Sequence, residues 1–150
     1  MNILLAVDVQ KEFQDQDGQY DKIVSYIKNA VGKYDLIYAT VCTNHPDSPF
    51  VQNNVWLDCL NGLEPLAFSA DKVVVKCGYG FLDYHWLDIR DHYDIIGFNT
   101  DCCVMKVALD LFDRGYDFNV ITDYCYCSGG NEEHQRGVGL MRDLLGQMVK

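Results

Sequence analysis

Short apolar runs alternate with amphipathic segments along the whole chain, and this alternation constrains the fold more than any other feature of the sequence. Runs that have the length and the Val, Ile and Leu content of buried strands occupy residues 3–7, 36–42, 72–76, 94–98 and 118–122. Segments with apolar residues at helical spacing occupy 21–31, 84–90, 101–114 and 132–145. The stretch 43–70 has the character of a loop. The alternation predicts a Rossmann-like α/β fold with three layers (αβα) and a parallel sheet of five or six strands.

The 150 residues correspond to one domain, which we take as residues 1–150. The 22 acidic and 12 basic residues give a net charge of −10, which disfavours binding to the phosphate backbone of nucleic acids. No apolar run approaches the roughly 18 residues of a membrane span, and the first residues lack the features of a signal peptide. The cysteines number seven and form no C-x-x-C pair, which is typical of reduced thiols. We therefore expect a cytoplasmic protein that binds neither nucleic acid nor membrane.

Three residue types with reactive side chains follow separate strands of the predicted sheet. Asp8 comes directly after the first strand, Lys76 ends the third, and Cys103 lies at the start of the helix that follows the fourth. The carboxyl ends of parallel strands share one edge of the sheet, where α/β proteins bind their ligands. A helix start and a lysine lower the pKa of a cysteine, and an aspartate can accept its proton, so together the three indicate a nucleophilic site. Each of them alone is more often a turn, surface or core residue.

Three segments resemble the motifs of one superfamily and occur in the same order along the chain. They are Val-Asp-Val-Gln-Lys-Glu-Phe at 7–13, Lys-Cys-Gly-Tyr-Gly-Phe at 76–81 and Gly-Phe-Asn-Thr-Asp-Cys-Cys-Val at 97–104. The superfamily is that of the isochorismatase-like cysteine hydrolases, which includes the nicotinamidases. The resemblance implies a catalytic triad of Asp8, Lys76 and Cys103. Cys103 is chosen over its neighbour because the nucleophile of the family directly precedes the valine.

The resemblance also implies the surroundings of the nucleophile. The family has a non-proline cis peptide bond before the threonine of its motif, which here would join Phe98 and Asn99. The backbone N–H groups of Asn99 and Cys103 are expected to hold the oxyanion that forms during catalysis. Phe13 and Phe81 lie inside two of the motifs, and we expect them to contact the substrate. Members of the family commonly assemble into oligomers, so we expect a homo-oligomer that acts on a small molecule.

One family motif is incomplete in this chain. Nicotinamidases hold a metal ion with an Asp-x-His-Pro motif after the second strand and with a further histidine. Here Thr43 takes the place of the aspartate, although His45 and Pro46 remain. One histidine and one hydroxyl are too few ligands for zinc or manganese. We therefore predict no catalytic metal and no other cofactor, and this departure argues against nicotinamide as the substrate.

Together these features predict a metal-independent cysteine hydrolase that cleaves the C–N bond of a small amide through a thioester intermediate. One alternative is a binding protein that keeps the fold without the catalysis. Another is a vinyl-ether hydrolase, a class of the superfamily that typically lacks the cysteine. The third is a thiol redox protein that uses Cys102 with Cys103 or Cys125 with Cys127, although neither pair has the C-x-x-C spacing.

Overall fold

A parallel sheet forms the centre of the structure, a computed structural model that describes residues 1–14, 17–62 and 64–150. The strands within these ranges are β1 (Asn2–Val7), β2 (Leu36–Cys42), β3 (Lys72–Lys76), β4 (His92–Phe98) and β5 (Asp117–Tyr126). Their order across the sheet is β3-β2-β1-β4-β5, and every neighbouring pair is parallel. The predicted α/β fold and its parallel sheet are confirmed.

Helices follow four of the five described strands, and the three longer ones pack against the sheet. Over the same ranges they are α1 (Gln19–Ala30), α2 (Pro49–Gln52), α3 (Met105–Asp113) and α4 (Asn131–Leu145). A π-helical turn, Thr100–Val104, leads into α3, and short 3-10 turns occupy Lys11–Phe13 and Gly146–Met148. No helix among the residues described is both long and apolar enough to cross a membrane.

The central strand β1 is buried from both faces of the sheet, which explains its unbroken apolar run. Ile3 and Leu5 belong to a core under α3 and α4, while Leu4 and Ala6 belong to a second core under α1. Successive residues of a strand point to opposite faces, so one strand supplies both cores. Full burial of a Leu or Ile side chain contributes about 1.5–3 kcal/mol, and this burial holds the strand ends in register at the edge of the sheet.

The helix predicted over 84–90 is wrong, because these residues form turns. Asp83 Oδ1 accepts the N–H of His85 at 2.6 Å, and Asp88 Oδ1 accepts the N–H of Arg90 at 3.0 Å. Such bonds from short polar side chains to nearby backbone compete with helical hydrogen bonds. The hydrogen bonds from Asp83 and Asp88 to nearby backbone therefore favour turns here, although the apolar residues have helical spacing.

The stretch 43–70, predicted as a loop, contains the single helical turn α2. Ser48 caps it by accepting the N–H of Val51 at 3.2 Å, and Pro49 stands at its first position. Farther along, Asn44 and Leu60 exchange two backbone hydrogen bonds of 2.8 Å, which close the segment between them into a loop beside the carboxyl edge of the sheet.

Candidate active site

The side chains of Asp8, Lys76 and Cys103 meet at the carboxyl edge of the sheet. Lys76 Nζ lies 2.7 Å from Asp8 Oδ2 and 3.3 Å from Cys103 Sγ. Asp8 is 0% exposed, Lys76 5% and Cys103 8%, so the cluster is almost fully shielded from water. Since β2 lies between β1 and β3, the long lysine side chain reaches past one strand to make these contacts. The fold thus brings together three residues that are far apart in the sequence.

Asp8 is held in position by Thr40 on the neighbouring strand. The hydroxyl of Thr40 donates to Asp8 Oδ1 at 2.6 Å and accepts the Asp8 N–H at 3.0 Å. Asp8 has a φ of +49°, in the left-handed region that aspartate tolerates better than most residues. Apart from its ion pair with Lys76, Asp8 Oδ2 has no hydrogen-bond donor among the residues described. This oxygen is therefore the one available to accept a proton.

Gln10 ties the segment after β1 to the end of β2. Its side-chain amide donates to the carbonyl of Cys42 at 3.1 Å and accepts the Cys42 N–H at 2.6 Å, as a strand backbone would. Sequence reasoning assigned no role to Gln10 or Thr40. The position of Gln10 inside the first motif was the only signal for it, and Thr40 had none beyond its place in a strand.

The ammonium of Lys76 stays charged despite its burial. Burial lowers the pKa of this lysine, but the negative charge of Asp8, to which Cys103 adds only when it is deprotonated, outweighs that effect and raises the pKa above its ordinary value. Lys76 also donates to the carbonyl of Gly78 at 2.8 Å. The lysine is thus fixed as a buried cation between the carboxylate and the sulfur.

The thiol of Cys103 holds its proton more firmly than the sequence predicted. Burial is the largest effect and raises its pKa well above the ordinary value, and the carboxylate of Asp8 raises it further. Lys76 acts in the opposite direction and is outweighed. The expectation of a lowered pKa is therefore wrong for the free site, because it left burial out. A neutral thiol beside an ion pair needs a neighbouring base before it can attack.

The segment that carries Cys103 is shaped by close backbone packing. The peptide bond between Phe98 and Asn99 is cis, as the resemblance implied. Gly97 has a φ of +126°, and a Cβ there would lie 2.0 Å from the carbonyl oxygen of Val7. The carbonyl of Asn99 accepts two N–H groups of the following turn, both at 3.1 Å. The proposed oxyanion role of the Asn99 and Cys103 N–H groups stays a prediction.

Helix α4 supports this segment from behind. His134 Nδ1 lies 2.8 Å from Thr100 Oγ1, and burial lowers the pKa of His134, which favours the neutral ring. Gly137 lets α4 approach closely, since a Cβ there would lie 2.9 Å from the Cα of Asp101. The side-chain oxygen of Asn99 accepts the N–H of Ser128 at 2.7 Å. Sequence reasoning gave these contacts no role, and helical periodicity carries no signal for them.

A cavity of about 670 Å³ opens beside Cys103. Phe13 lies in its wall, together with Asn99 and Cys102. Phe81 does not, because it turns toward Tyr84 and Trp86, with ring centroids 5.2 Å and 4.9 Å away, and lines a separate cavity. Of the two phenylalanines predicted to contact substrate, the structure thus brings only Phe13 to the cavity that contains Cys103.

The residues at the place of the family's metal motif do not form a ligand set. His45 Nε2 lies 3.5 Å from the hydroxyl of Thr43, and His45 belongs to no group of three metal-ligating side chains in the part of the chain that is described. Elsewhere in the described residues, Asp101, Cys127 and Glu133 form such a group, and their ligand atoms lie within 4.8 Å of one another.

A family model described as the isochorismatase domain matches residues 2–150. The chain belongs to this family. Isochorismatase domain-containing protein 2 of Xenopus laevis is 48% identical to this chain over 31 residues, a stretch that covers 21% of this chain and 15% of the frog protein. Family membership therefore rests on the match along the whole chain, and the short stretch of identity adds to it.

Solved structures of isochorismatase relatives share the fold. A pyrazinamidase/nicotinamidase from Streptococcus mutans has a TM-score of 0.75 and 19% identity, with 100% of both chains covered. A pyrazinamidase from Pyrococcus horikoshii, solved in complex with zinc, has a TM-score of 0.72 and 21% identity, with 99% of this chain and 97% of the other covered. At such identities the likeness concerns the fold. Family and fold together support a hydrolase of this superfamily.

Proposed function

We propose that this protein is a cysteine hydrolase that cleaves the C–N bond of a small amide without a metal ion. The observation that carries the proposal is the buried contact of Asp8, Lys76 and Cys103 beside a cavity large enough for a small molecule. The nucleophile, a base and a fixed cation are the parts that covalent catalysis by a thiol requires.

In the proposed reaction Asp8 Oδ2 accepts the proton of the Cys103 thiol while Sγ attacks the carbonyl carbon of the amide. The tetrahedral intermediate collapses, Asp8 donates the proton to the departing nitrogen, and the C–N bond breaks to leave a thioester on Cys103. A water molecule then gives a proton to Asp8 and attacks the thioester. The acid departs, and Cys103 regains its proton from Asp8.

Lys76 and the backbone supply the electrostatic part of this mechanism. The ammonium of Lys76 stabilises the negative sulfur and holds the carboxylate of Asp8 in line with it. The N–H groups of Asn99 and Cys103 are proposed to donate to the oxyanion, a contribution worth about 10²–10³ in rate for a single donor in known hydrolases.

Replacement of Cys103 tests the proposal, with its neighbour as a matched control. Ammonia release from a panel of small primary amides is measured for the wild type, Cys103→Ala and Cys102→Ala. We expect Cys103→Ala to lose activity by about 10³-fold or more and Cys102→Ala to change it only a few-fold. Activity of Cys103→Ala equal to that of the wild type, or a larger loss in Cys102→Ala, would contradict the proposal. A wild type that hydrolyses no amide and whose Cys103 forms no covalent adduct would favour a non-catalytic binding protein.

A further inference from the structure

The cavity beside Cys103 has a continuous wall of aromatic rings. The rings of Phe13 and Trp56 lie 6.0 Å apart between centroids, Trp56 and Phe50 lie 5.6 Å apart, and Phe50 and Tyr79 lie 4.9 Å apart. All four line the cavity. The last two pairs are edge-to-face, so the rings present faces and edges in different directions along one wall.

A buried polar residue, Asn44, fixes the loop that carries part of this wall. Asn44 is 1% exposed, and its side-chain nitrogen donates to the carbonyl of Trp56 at 3.1 Å and to that of Asp58 at 2.9 Å. Two backbone hydrogen bonds between Asn44 and Leu60 close the same loop. Trp56 and Asp58 therefore have defined positions relative to the end of β2.

The charged side chains that line the cavity, within the described ranges, are both acidic. They are Glu12 and Asp58, and both are solvent-exposed. Lys76 is not among the lining residues, and its charge is balanced by the carboxylate of Asp8 at 2.7 Å. The net charge of −10 adds a field of the same sign. The cavity thus combines aromatic rings with negative charge.

We infer that the substrate is a small amide that carries a cationic ammonium group. An ammonium is attracted to the faces of Trp, Tyr and Phe and to carboxylates, whereas an anionic amide is repelled from this cavity. The inference rests on the proposed function and narrows it to a substrate class. Hydrolysis consumes water and converts the amide into a carboxylate and an ammonium ion, so the acid product carries a new negative charge beside Glu12 and Asp58, which favours its release.

Three amides of similar size test the inference in the wild-type protein. They are trimethylammonioacetamide, its uncharged isostere 3,3-dimethylbutanamide (called tert-butylacetamide below), and the anionic succinamate. We expect kcat/KM for the cation to exceed that for the isostere by about tenfold, because a cation–π contact and a partly screened carboxylate each contribute modestly. Succinamate is expected to be the poorest of the three. An isostere that is hydrolysed as well as the cation would overturn the inference.

The double variant Glu12→Gln/Asp58→Asn tests whether the cavity itself carries the preference. We expect it to lower kcat/KM for the cation by about threefold, because the aromatic contacts remain, and to leave tert-butylacetamide nearly unchanged. The control Asp113→Asn/Glu132→Gln makes the same change in net charge with exposed acids that do not line the cavity. It should leave both substrates unchanged. An equal loss in the control would assign the effect to the long-range field and overturn the role of the cavity.

Binding separates failure of this inference from failure of the proposed function. If the wild type hydrolyses none of the three amides, the proposed function fails for them, and calorimetric titration of Cys103→Ala decides the substrate class. Tighter binding of trimethylammonioacetamide than of tert-butylacetamide upholds the inference. Equal binding of the two, or no binding of the cation, overturns it.

Discussion

Charged clusters at opposite edges of the sheet differ in burial and in how well their groups are satisfied. At the amino edge, His92 lies 3.2 Å from Asp94 Oδ1 and 2.9 Å from Asp117 Oδ2, and the His92 side chain is 26% exposed. At the carboxyl edge, the side chains of Asp8 and Lys76 are at most 2% exposed, and within the described part of the chain the one partner of Asp8 Oδ2 is the Lys76 ammonium. The first cluster has the character of a partly solvated ion-pair network, whereas the second is buried and incompletely hydrogen-bonded.

The difference in burial indicates that the charged groups at the two edges have different roles. Partly exposed ion pairs add little stability and cost little to form. Buried charges cost much more to desolvate, and removal of one partner leaves the other uncompensated. An arrangement with that cost, next to a thiol and a cavity, is typical of a site organised for chemistry. The amino edge accordingly should tolerate substitution, and the carboxyl edge should not.

Asp8→Asn is expected to have the largest effect. It removes the proposed base and leaves Lys76 buried without its counter-ion, so we expect activity to fall by about 10³-fold or more and the free energy of unfolding to fall by roughly 3–5 kcal/mol. The matched variant at the amino edge, Asp117→Asn, loses a partner that is 76% exposed and should cost less than about 1 kcal/mol. Amide hydrolysis and urea unfolding measure both. Equal destabilisation by the two variants would contradict the comparison.

Gly97→Ala is expected to have the next largest effect, on stability. The new methyl group would meet the carbonyl of Val7 at 2.0 Å, and the backbone would have to move, so we expect a cost above about 4 kcal/mol or failure to fold. Gly115→Ala is the control, because that glycine also has a positive φ, +74°, but has open space around it. Its cost should be about 1 kcal/mol. Thermal unfolding compares them, and similar melting temperatures would show that close packing at the carboxyl edge is unimportant.

The pH dependence of Cys103 alkylation is a smaller and more specific test. Because burial and Asp8 raise the pKa of this thiol, its reaction with iodoacetamide in the free protein should keep accelerating as the pH rises past the ordinary cysteine value of 9.0. Peptide mapping by mass spectrometry follows Cys103 separately from the other cysteines. A rate that reaches its plateau near neutral pH would instead indicate a stable thiolate in the free site.

The smallest expected effect belongs to the amino edge. Burial lowers the pKa of His92, but hydrogen bonds to Asp117 and Asp94 outweigh it, and the pKa is raised above 6.5. The stability from this histidine is therefore complete below the unfolded pKa and is lost as the pH rises through the folded one. We expect this contribution to the free energy of unfolding to be less than about 1 kcal/mol and to be absent in His92→Gln. Urea unfolding of both proteins across this pH window measures it. A wild type that gains stability there relative to the variant would reverse the assigned sign.

Much of the fold was predictable because strands and helices differ in period. The run 3–7 had the pattern of a strand buried on both faces, and the structure confirms a parallel strand there. The segment 84–90 was misread because apolar spacing does not register hydrogen bonds from Asp83 and Asp88 to nearby N–H groups. Periodicity likewise missed α2, for which Ser48 followed by Pro49 was the available signal.

The meeting of Asp8, Lys76 and Cys103 was predictable from strand ends, since parallel strands share one carboxyl edge. The pKa of Cys103 was not, because it depends on how completely the surrounding chain excludes water. The direction of Phe81 was also beyond the sequence, since membership of a motif does not fix which way a side chain turns. The aromatic wall depends on how the loop that carries Trp56 closes, which no local pattern encodes.

The proposed mechanism requires Cys103 to form a covalent intermediate with the acyl group of an amide. The most direct measurement is an acid quench during turnover of an amide that the wild type hydrolyses, followed by peptide mapping by mass spectrometry. The mechanism predicts that the peptide containing Cys103 gains the mass of the acyl group and that the group is attached to Cys103. The same peptide of Cys103→Ala should carry no acyl group. Turnover without an acyl group on Cys103, or an acyl group on a different cysteine, would contradict it.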